Sequence, residues 1–205
     1  MKTYCFIDAS NLFYGGEKSL GWRIDYQKFF GYLNQKYGVD SVYYYGGVEL
    51  DGFKYSVLDE KPVDLEKLLK FMQDKLKKPW LSDAQIIILG RHIQRVKFFR
   101  KLEKFGYKLI LKPVKVYYDD EGNSTKKANC DVDMTFDMMR LRDEYDQLVV
   151  LTGDGDFAVI LNYMQKIGKK LYVLARGERT AKEIRQLVGG NFRDFNYLRE
   201  MIRQN

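Results

Sequence analysis

Leu148-Val149-Val150-Leu151-Thr152-Gly153-Asp154-Gly155-Asp156-Phe157 is the stretch whose reading decides the fold. Its first four residues form an unbroken apolar run, the pattern of a strand covered on both faces in a parallel sheet. The run stops at Thr152, where two glycines permit a tight turn and two carboxylates stand at the strand's end. Phe157, Ile160, Leu161 and Met164 then recur at helical spacing, so a helix follows at once. In open α/β sheets ligands bind just beyond the carboxyl ends of the strands, which is where Asp154 and Asp156 fall. Glycine and aspartate are also ordinary turn formers, so a plain solvated turn is the competing reading.

The same form opens the chain. Tyr4-Cys5-Phe6-Ile7 is a short apolar run ending in Asp8-Ala9-Ser10-Asn11, with a carboxylate at the strand's end and Asn11 as a further oxygen donor. Asp8 or Ser10 can equally cap a following helix, and a capping aspartate at such an edge still faces a ligand. Asp25 caps an amphipathic helix that carries Tyr26, Phe29, Phe30, Leu33 and Tyr37 inward and ends at Gly38. Residues 41–48 read as the second strand, giving the β-α-β unit of a parallel sheet.

Composition narrows the class. The 205 residues include 35 Lys and Arg against 28 Asp and Glu, a net charge of +7 that fits a polyanionic partner. The three prolines and the absence of low-complexity runs leave no room for a long linker, so 1–205 reads as one domain. Cys5 and Cys130 form no C-x-x-C pair and His92 is the single histidine, which excludes a structural zinc site and a Cys/His nucleophile pair. No apolar run suits a signal peptide or a membrane span, and the expectation is a cytoplasmic protein.

Residues around 50–90 read as a helical elaboration. A helix over 64–77 buries Leu65, Leu68, Leu69 and Met72, while Lys75, Lys77 and Lys78 form a solvated helix end. Ala84 to Leu89 reads as a strand, and a basic helix with Arg95, Lys97, Arg100, Lys101 and Lys104 runs from about Ile93 to Phe105, ended by Gly106. Strands follow at 107–112 and, as a hairpin, from Lys115 to Tyr118, closed over 119–123. Asp131 then starts a helix whose apolar stripe is Val132, Thr135, Phe136 and Met139, with Asp133 and Asp137 sharing a face. Beyond the central stretch, 170–174 is a strand with Arg176 and Arg179 at its end. Thr180 caps a helix through Leu187, Gly189-Gly190 breaks it, and Phe195 to Ile202 closes the chain as a helix.

Asp8, Asp131, Asp154 and Asp156 therefore converge at strand ends. Like charges packed together raise one another's pKa unless a cation offsets them, and hard Mg²⁺ or Mn²⁺ takes oxygen donors of this kind. Such an ion activates water and stabilises the leaving oxygen of a phosphodiester. Lys126, Lys127, Arg176 and Arg179 on the same edge suit phosphates, and Phe13 or Tyr14 could stack a base or simply pack in the core.

Asp8-x-x-Asn11, Lys127-x-x-x-Asp131-Val132 and Thr152-Gly153-Asp154-Gly155-Asp156-Phe157, in that order, make the sequence resemble the NYN domain family, a branch of the PIN-like metal-dependent ribonucleases. The resemblance covers most of the chain outside about 50–90. It implies a three-layer α/β/α sandwich with a mainly parallel central sheet, and RNA cleavage with Mg²⁺ or Mn²⁺ at Asp8, Asp131, Asp154 and Asp156, supported by Asn11, Thr152, Asp133 and Asp137. The implied partner is RNA, single-stranded in preference, with no membrane and with homo-oligomer formation left open. Two departures stand out: Ala-Asn-Cys precedes Asp131 in place of a tighter glycine-containing turn, and Gly190 aligns where many relatives carry an acidic residue. A haloacid dehalogenase-type phosphatase would need an aspartate where Ser10 stands, and no G-x-G-x-x-G follows the first strand as a dinucleotide oxidoreductase would require. An inactive nucleic-acid-binding or scaffold protein on the same fold is the alternative of a different class.

Overall fold

The computed structural model describes residues 1–13, 18–59, 61–118 and 124–204, with the side chains of Ser19, Asp59, Tyr117, Tyr118 and residues 124–127 outside that description. The chain opens with β1 (Thr3–Asp8), the single turn α1 (Ala9–Asn11), a second short turn α2 (Lys18–Leu20), α3 (Tyr26–Tyr37) and β2 (Val39–Val48). The helices α4 (Leu65–Leu76) and α5 (Asp83–Phe105) lead to β3 (Tyr107–Pro113) and to a hairpin of β4 (Lys115–Tyr118) and β5 (Ser124–Lys127). Then α6 (Asp131–Arg140), β6 (Gln147–Leu151), α7 (Ala158–Lys166) and β7 (Lys170–Ala175) alternate. The chain finishes with α8 (Lys182–Val188), β8 (Phe192–Asp194) and α9 (Arg199–Ile202).

Six strands form one parallel sheet in the order β3-β2-β1-β6-β7-β8, and β4 and β5 pair antiparallel beside it. This is the three-layer α/β/α sandwich that the resemblance implied. Alternation along each strand divides the core. Cys5 and Ile7 face a cluster built with α3, α4, α5 and α9, whereas Tyr4 and Phe6 face one built with α6, α7 and α8. Because both faces are covered, the central strands are apolar throughout, which is why 148–151 carries no polar alternation.

Local chemistry sets the helix ends. The Asp25 carboxylate accepts from Gln27 N and Lys28 N at 3.0 Å each, and Gly38 ends α3 at φ 61°, where a side chain would be strained. At α5 the Ser82 hydroxyl accepts from Gln85 N while the Gln85 side chain accepts from Ser82 N, a reciprocal capping box. That cap corrects the expectation of a strand over 84–89. These residues are the first turns of a 23-residue helix, and Ile86, Ile87 and Ile88 are exposed, leaving Leu89 as the buried member of the run. Within 50–90 the chain forms α4 and the first turns of α5, and α4 packs along α5. The three-residue β8 is a strand that the sequence reading did not include, and 195–202 is a 3₁₀ turn followed by the short α9 rather than one helix. The loop expected to close the β4–β5 hairpin, 119–123, lies outside the described residues. Among the described residues no helix is long and apolar enough to cross a membrane.

The contrast within α5 is measurable. Ile87→Glu, on an exposed helical face, should change unfolding free energy by less than about 0.5 kcal/mol. Leu89→Ala should cost about 2–5 kcal/mol. Urea unfolding of the two variants checks the assignment, since a strand over 84–89 could not expose three consecutive isoleucines.

Candidate active site

β1 and β6 are parallel neighbours with Ile7 level with Leu151, so their carboxyl ends meet. Asp8 ends β1 and caps α1. Its carboxylate accepts from Ser10 N at 2.9 Å and Asn11 N at 3.2 Å, so the capping role and the edge position hold together. Burial pushes the Asp8 pKa up to about 6. Repulsion from Asp131 and Asp154 adds to the rise, and the two backbone N–H groups oppose it. Asp131 and Asp154 are thus each within electrostatic reach of Asp8, although both lie more than a hundred residues from it in sequence.

Asp154 follows β6 and caps a single turn, accepting from Asp156 N at 3.0 Å, while its own N–H donates to the buried Thr152 hydroxyl at 3.2 Å. Packing is tight around the first of its glycines. A Cβ on Gly153 would lie 3.1 Å from Thr180 Oγ1, 3.2 Å from Thr180 Cα and 3.3 Å from the Arg179 carbonyl oxygen, and the Gly153 carbonyl accepts from Ala181 N at 2.9 Å. The G-D-G-D turn is therefore pressed against the start of α8. Thr180 does not cap that helix, because its hydroxyl donates back to the Arg176 carbonyl at 2.7 Å and Ala181 occupies the cap position.

Asp131 is the first residue of α6, preceded by Cys130, and its N–H donates to the Asn129 side chain at 2.8 Å; Asp131 is not itself the cap. The Cys130 thiol is pushed up to about 12, by burial first and then by Asp133, Asp8 and Asp131, so it stays protonated and offers no thiolate. Asp133 pairs with Lys112 at 2.7 Å. Asp137 is buried and accepts from the Tyr45 hydroxyl at 3.0 Å and from Arg140 at 2.8 Å, so its carboxylate is engaged in the wall behind the site. The buried face of α6 is accordingly Met134, Asp137 and Met138. The expected stripe is turned away, with Val132 and Phe136 exposed.

Asp156 is exposed and lines a shallow groove of about 320 Å³ between α6 and α7, with Thr135, Met139 and Tyr163. Arg176 is turned in, its side chain 12% exposed and its guanidinium 2.7 Å from Glu178, whereas Arg179 is exposed beside the Asp154 turn. The side chains of Lys126 and Lys127, and Tyr14, lie outside the described residues, while Phe13 is exposed. Two contributors escaped the sequence reading. Tyr45 pairs in register with Asp8 and anchors Asp137, and its only signal was a central position in an aromatic strand. The Glu183 carboxylate reaches to 4.0 Å from the place of a Cβ on Gly155, and its signal was an acid in the first turn after β7. Among the described residues no three acidic, histidine or cysteine side chains stand closely enough together to hold a metal ion as placed.

A family model for the NYN domain matches residues 48–196. The chain belongs to the NYN domain family. The match runs through the 50–90 segment that the motif resemblance left out, and starts beyond β1. The chain is also 24% identical over 201 residues, 96% of its length and 85% of the relative's, to the low amplitude and bright protein LabA of Synechococcus elongatus. Among solved structures it is similar to a protein of unknown function, VPA0982, from Vibrio parahaemolyticus, with TM-score 0.62, 19% identity and coverage of 94% of this chain and 91% of that one. A looser likeness, TM-score 0.45 and 13% identity over 91% of this chain and 59% of the other, joins it to a flap endonuclease of bacteriophage T5 and is too distant to bear on function. Family membership places the chain on a nuclease-type fold.

Two outcomes follow from the geometry. Gly153→Ala should lower stability by about 1–3 kcal/mol in urea unfolding, because two of the three atoms in its way are backbone. For Asp8, a folded-state pKa raised to about 6 means that ionisation opposes folding. That penalty is absent below about pH 4, the unfolded value, and grows until the carboxyl is ionised above pH 6. Asp8→Asn in EDTA should therefore melt higher than the parent at pH 7.5 and at the same temperature near pH 4; an equal shift at both pH values would mean packing, not charge.

Proposed function

We propose that this protein is a Mg²⁺- or Mn²⁺-dependent endoribonuclease acting on single-stranded RNA, with Asp8, Asp131, Asp154 and Asp156 as its metal-holding carboxylates. The observation that carries the reading is that Asp8 and the Asp154 turn leave neighbouring parallel strands side by side, where the Asp8 charge is opposed by burial and by Asp131 and Asp154. Negative charges gathered in a half-buried crevice stabilise no fold by themselves, and a hard cation is the partner that relieves them. The donor set fits such an ion. All the facing groups are oxygens, the one nearby thiol is held protonated, and Mg²⁺ binds through one or two carboxylates while keeping several waters. When bound, the ion would supply charge neutralisation at the phosphate and a water of lowered pKa.

The chain's own groups do the positioning. Two backbone N–H groups fix one Asp8 oxygen, and the Asp156 N–H fixes one Asp154 oxygen, so these bonds leave each carboxylate's second oxygen for a ligand. Thr152 holds the Asp154 turn from beneath and Asn11 supports Asp8 through its N–H. Asp133 is partly neutralised by Lys112, and Asp137 supports the wall through Tyr45. Arg179, with Lys126 and Lys127 of β5, is suited to phosphate; Arg176 instead braces the 177–179 turn through Glu178. A second reading, a nucleic-acid-binding protein without turnover, is favoured by the absence of a closed three-ligand cage among the described residues.

Labelled single-stranded RNA and DNA incubated with Mn²⁺, Mg²⁺ or EDTA separate the readings. Cleavage of RNA with either ion and none in EDTA is expected. Asp154→Asn should slow it by at least about a hundredfold, the scale on which disturbing a bound metal's surroundings tells, while melting temperature and metal-free RNA affinity hold. An Asp154→Asn variant that cuts as fast as the parent would remove the site from the chemistry. RNA bound but never cut with any ion would leave the second reading.

A further inference from the structure

A cavity of about 620 Å³ opens beside the turn that follows Asp8, on the opposite side of the sheet edge from α6. Ala9 and Ser10 form its wall toward the carboxylates. Its floor is aromatic: Tyr26, Tyr44, Phe98 and Phe99. Phe98 stands edge-to-face against Tyr26 at 5.0 Å and against Tyr44 at 6.5 Å between ring centroids. Three of these rings are buried and Phe98 is half-buried, so the floor is rigid and held by α3, β2 and α5.

The rim has a different chemistry. Arg23 and Arg95 are exposed there together with Gln94 and Phe13. The Arg95 guanidinium lies 5.7 Å from the centre of the Phe99 ring and 3.6 Å from the Glu49 carboxylate. Glu49 stands behind Arg95, and among the described lining residues none is acidic. The volume falls within the roughly 300–1,000 Å³ of small-ligand pockets. Aromatic rings at a pocket floor stack an unpaired base whatever its sequence. An exposed glutamine offers a donor and an acceptor to a base edge, and arginines hold phosphate in a planar fork. An apolar metabolite would leave the two guanidinium groups unmatched at the rim, and a purely anionic ligand would leave the four rings unmatched below.

We propose that this cavity holds one unpaired nucleotide of a single-stranded RNA, its base on the aromatic floor and its phosphate at Arg23 and Arg95. The adjoining phosphodiester then passes over Ser10 to the Asp8 carboxylate. The placement of the cut bond rests on the nuclease reading above; the nucleotide pocket itself does not. A base held in a duplex cannot enter such a cavity, so the pocket gives the site a preference for unpaired RNA through shape rather than sequence.

The test uses the whole chain in EDTA, titrated with AMP and UMP, with uridine, and with inorganic phosphate, followed by calorimetry and by NMR of the aromatic side chains. The mononucleotides should bind and shift the Tyr44, Phe98 and Phe99 resonances, uridine should bind more weakly, and phosphate alone should leave the rings unmoved. Arg23→Glu and Arg95→Gln should each weaken mononucleotide binding about tenfold, the loss expected for one charge-assisted contact. Both residues are exposed, and melting curves establish that the variants are folded. Where RNA is cleaved, the same variants should reduce cutting of unpaired tracts and equalise it with cutting of hairpin stems. Mononucleotides that leave the rings unmoved, or bind both variants as tightly as the parent, overturn the pocket even if RNA is cut. Mononucleotides that bind as described while no ion supports cleavage leave the pocket standing and sink the nuclease reading instead.

Discussion

The parallel pairing of β1 with β6 is the contact on which the rest of this structure depends. It sets Ile7 level with Leu151, so the two chain reversals that carry Asp8 and Asp154 leave the sheet side by side. From this pair the strand order runs outward in both directions, to β2 and β3 on one flank and to β7 and β8 on the other. A crevice opens where connections depart to opposite sides, and ligands of open α/β sheets collect there. The buried Gln147 side chain, donating to the Thr3 hydroxyl at 3.2 Å and to the Tyr37 carbonyl at 3.3 Å, pins the opposite end of the pair.

At that crevice two demands compete. Packing wants the strand ends dry, whereas Asp8 and its neighbours want solvent or a counter-charge. The fold settles part of the conflict with backbone N–H groups and leaves the remainder as a raised pKa. Farther back, Asp137 meets the same problem and is fully satisfied, by Tyr45 and Arg140. The same helix carries Asp131 six residues earlier, within electrostatic reach of Asp8, so α6 contributes both to the wall of the site and to its acidic edge.

Much of this was legible in the sequence. Five strands of the main sheet, the caps at Asp8 and Asp25, and the terminating Gly38 and Gly106 follow from apolar runs and from the chemistry of single residues. The failures have local causes. Residues 84–89 carry an apolar run that suits a strand, and the deciding information was the Ser82–Gln85 pair immediately before the isoleucines. The orientation of α6 was hidden because its buried face includes an aspartate, whose partner Tyr45 lies in a strand 92 residues away. β8 has three residues, too few to show any period. The hairpin begun at Lys115 was legible, but its second arm β5, which carries Lys126 and Lys127, is polar and shows no strand pattern, and the reach of these lysines toward phosphate rests on proposal alone.

The same central pairing governs how the chain is made. The Thr3 and Gln147 side chains that meet beneath the sheet are 144 positions apart. At synthesis rates of about 5–20 residues per second, on the order of ten seconds pass between the emergence of β1 and that of β6. During that interval β2 can cover only one side of β1, and the other presents a bare row of amide and carbonyl groups on an apolar strand. Such an edge is a template for pairing with a neighbouring nascent chain. The crossing that builds the crevice therefore also fixes how long a growing polypeptide stays vulnerable to mispairing on the ribosome.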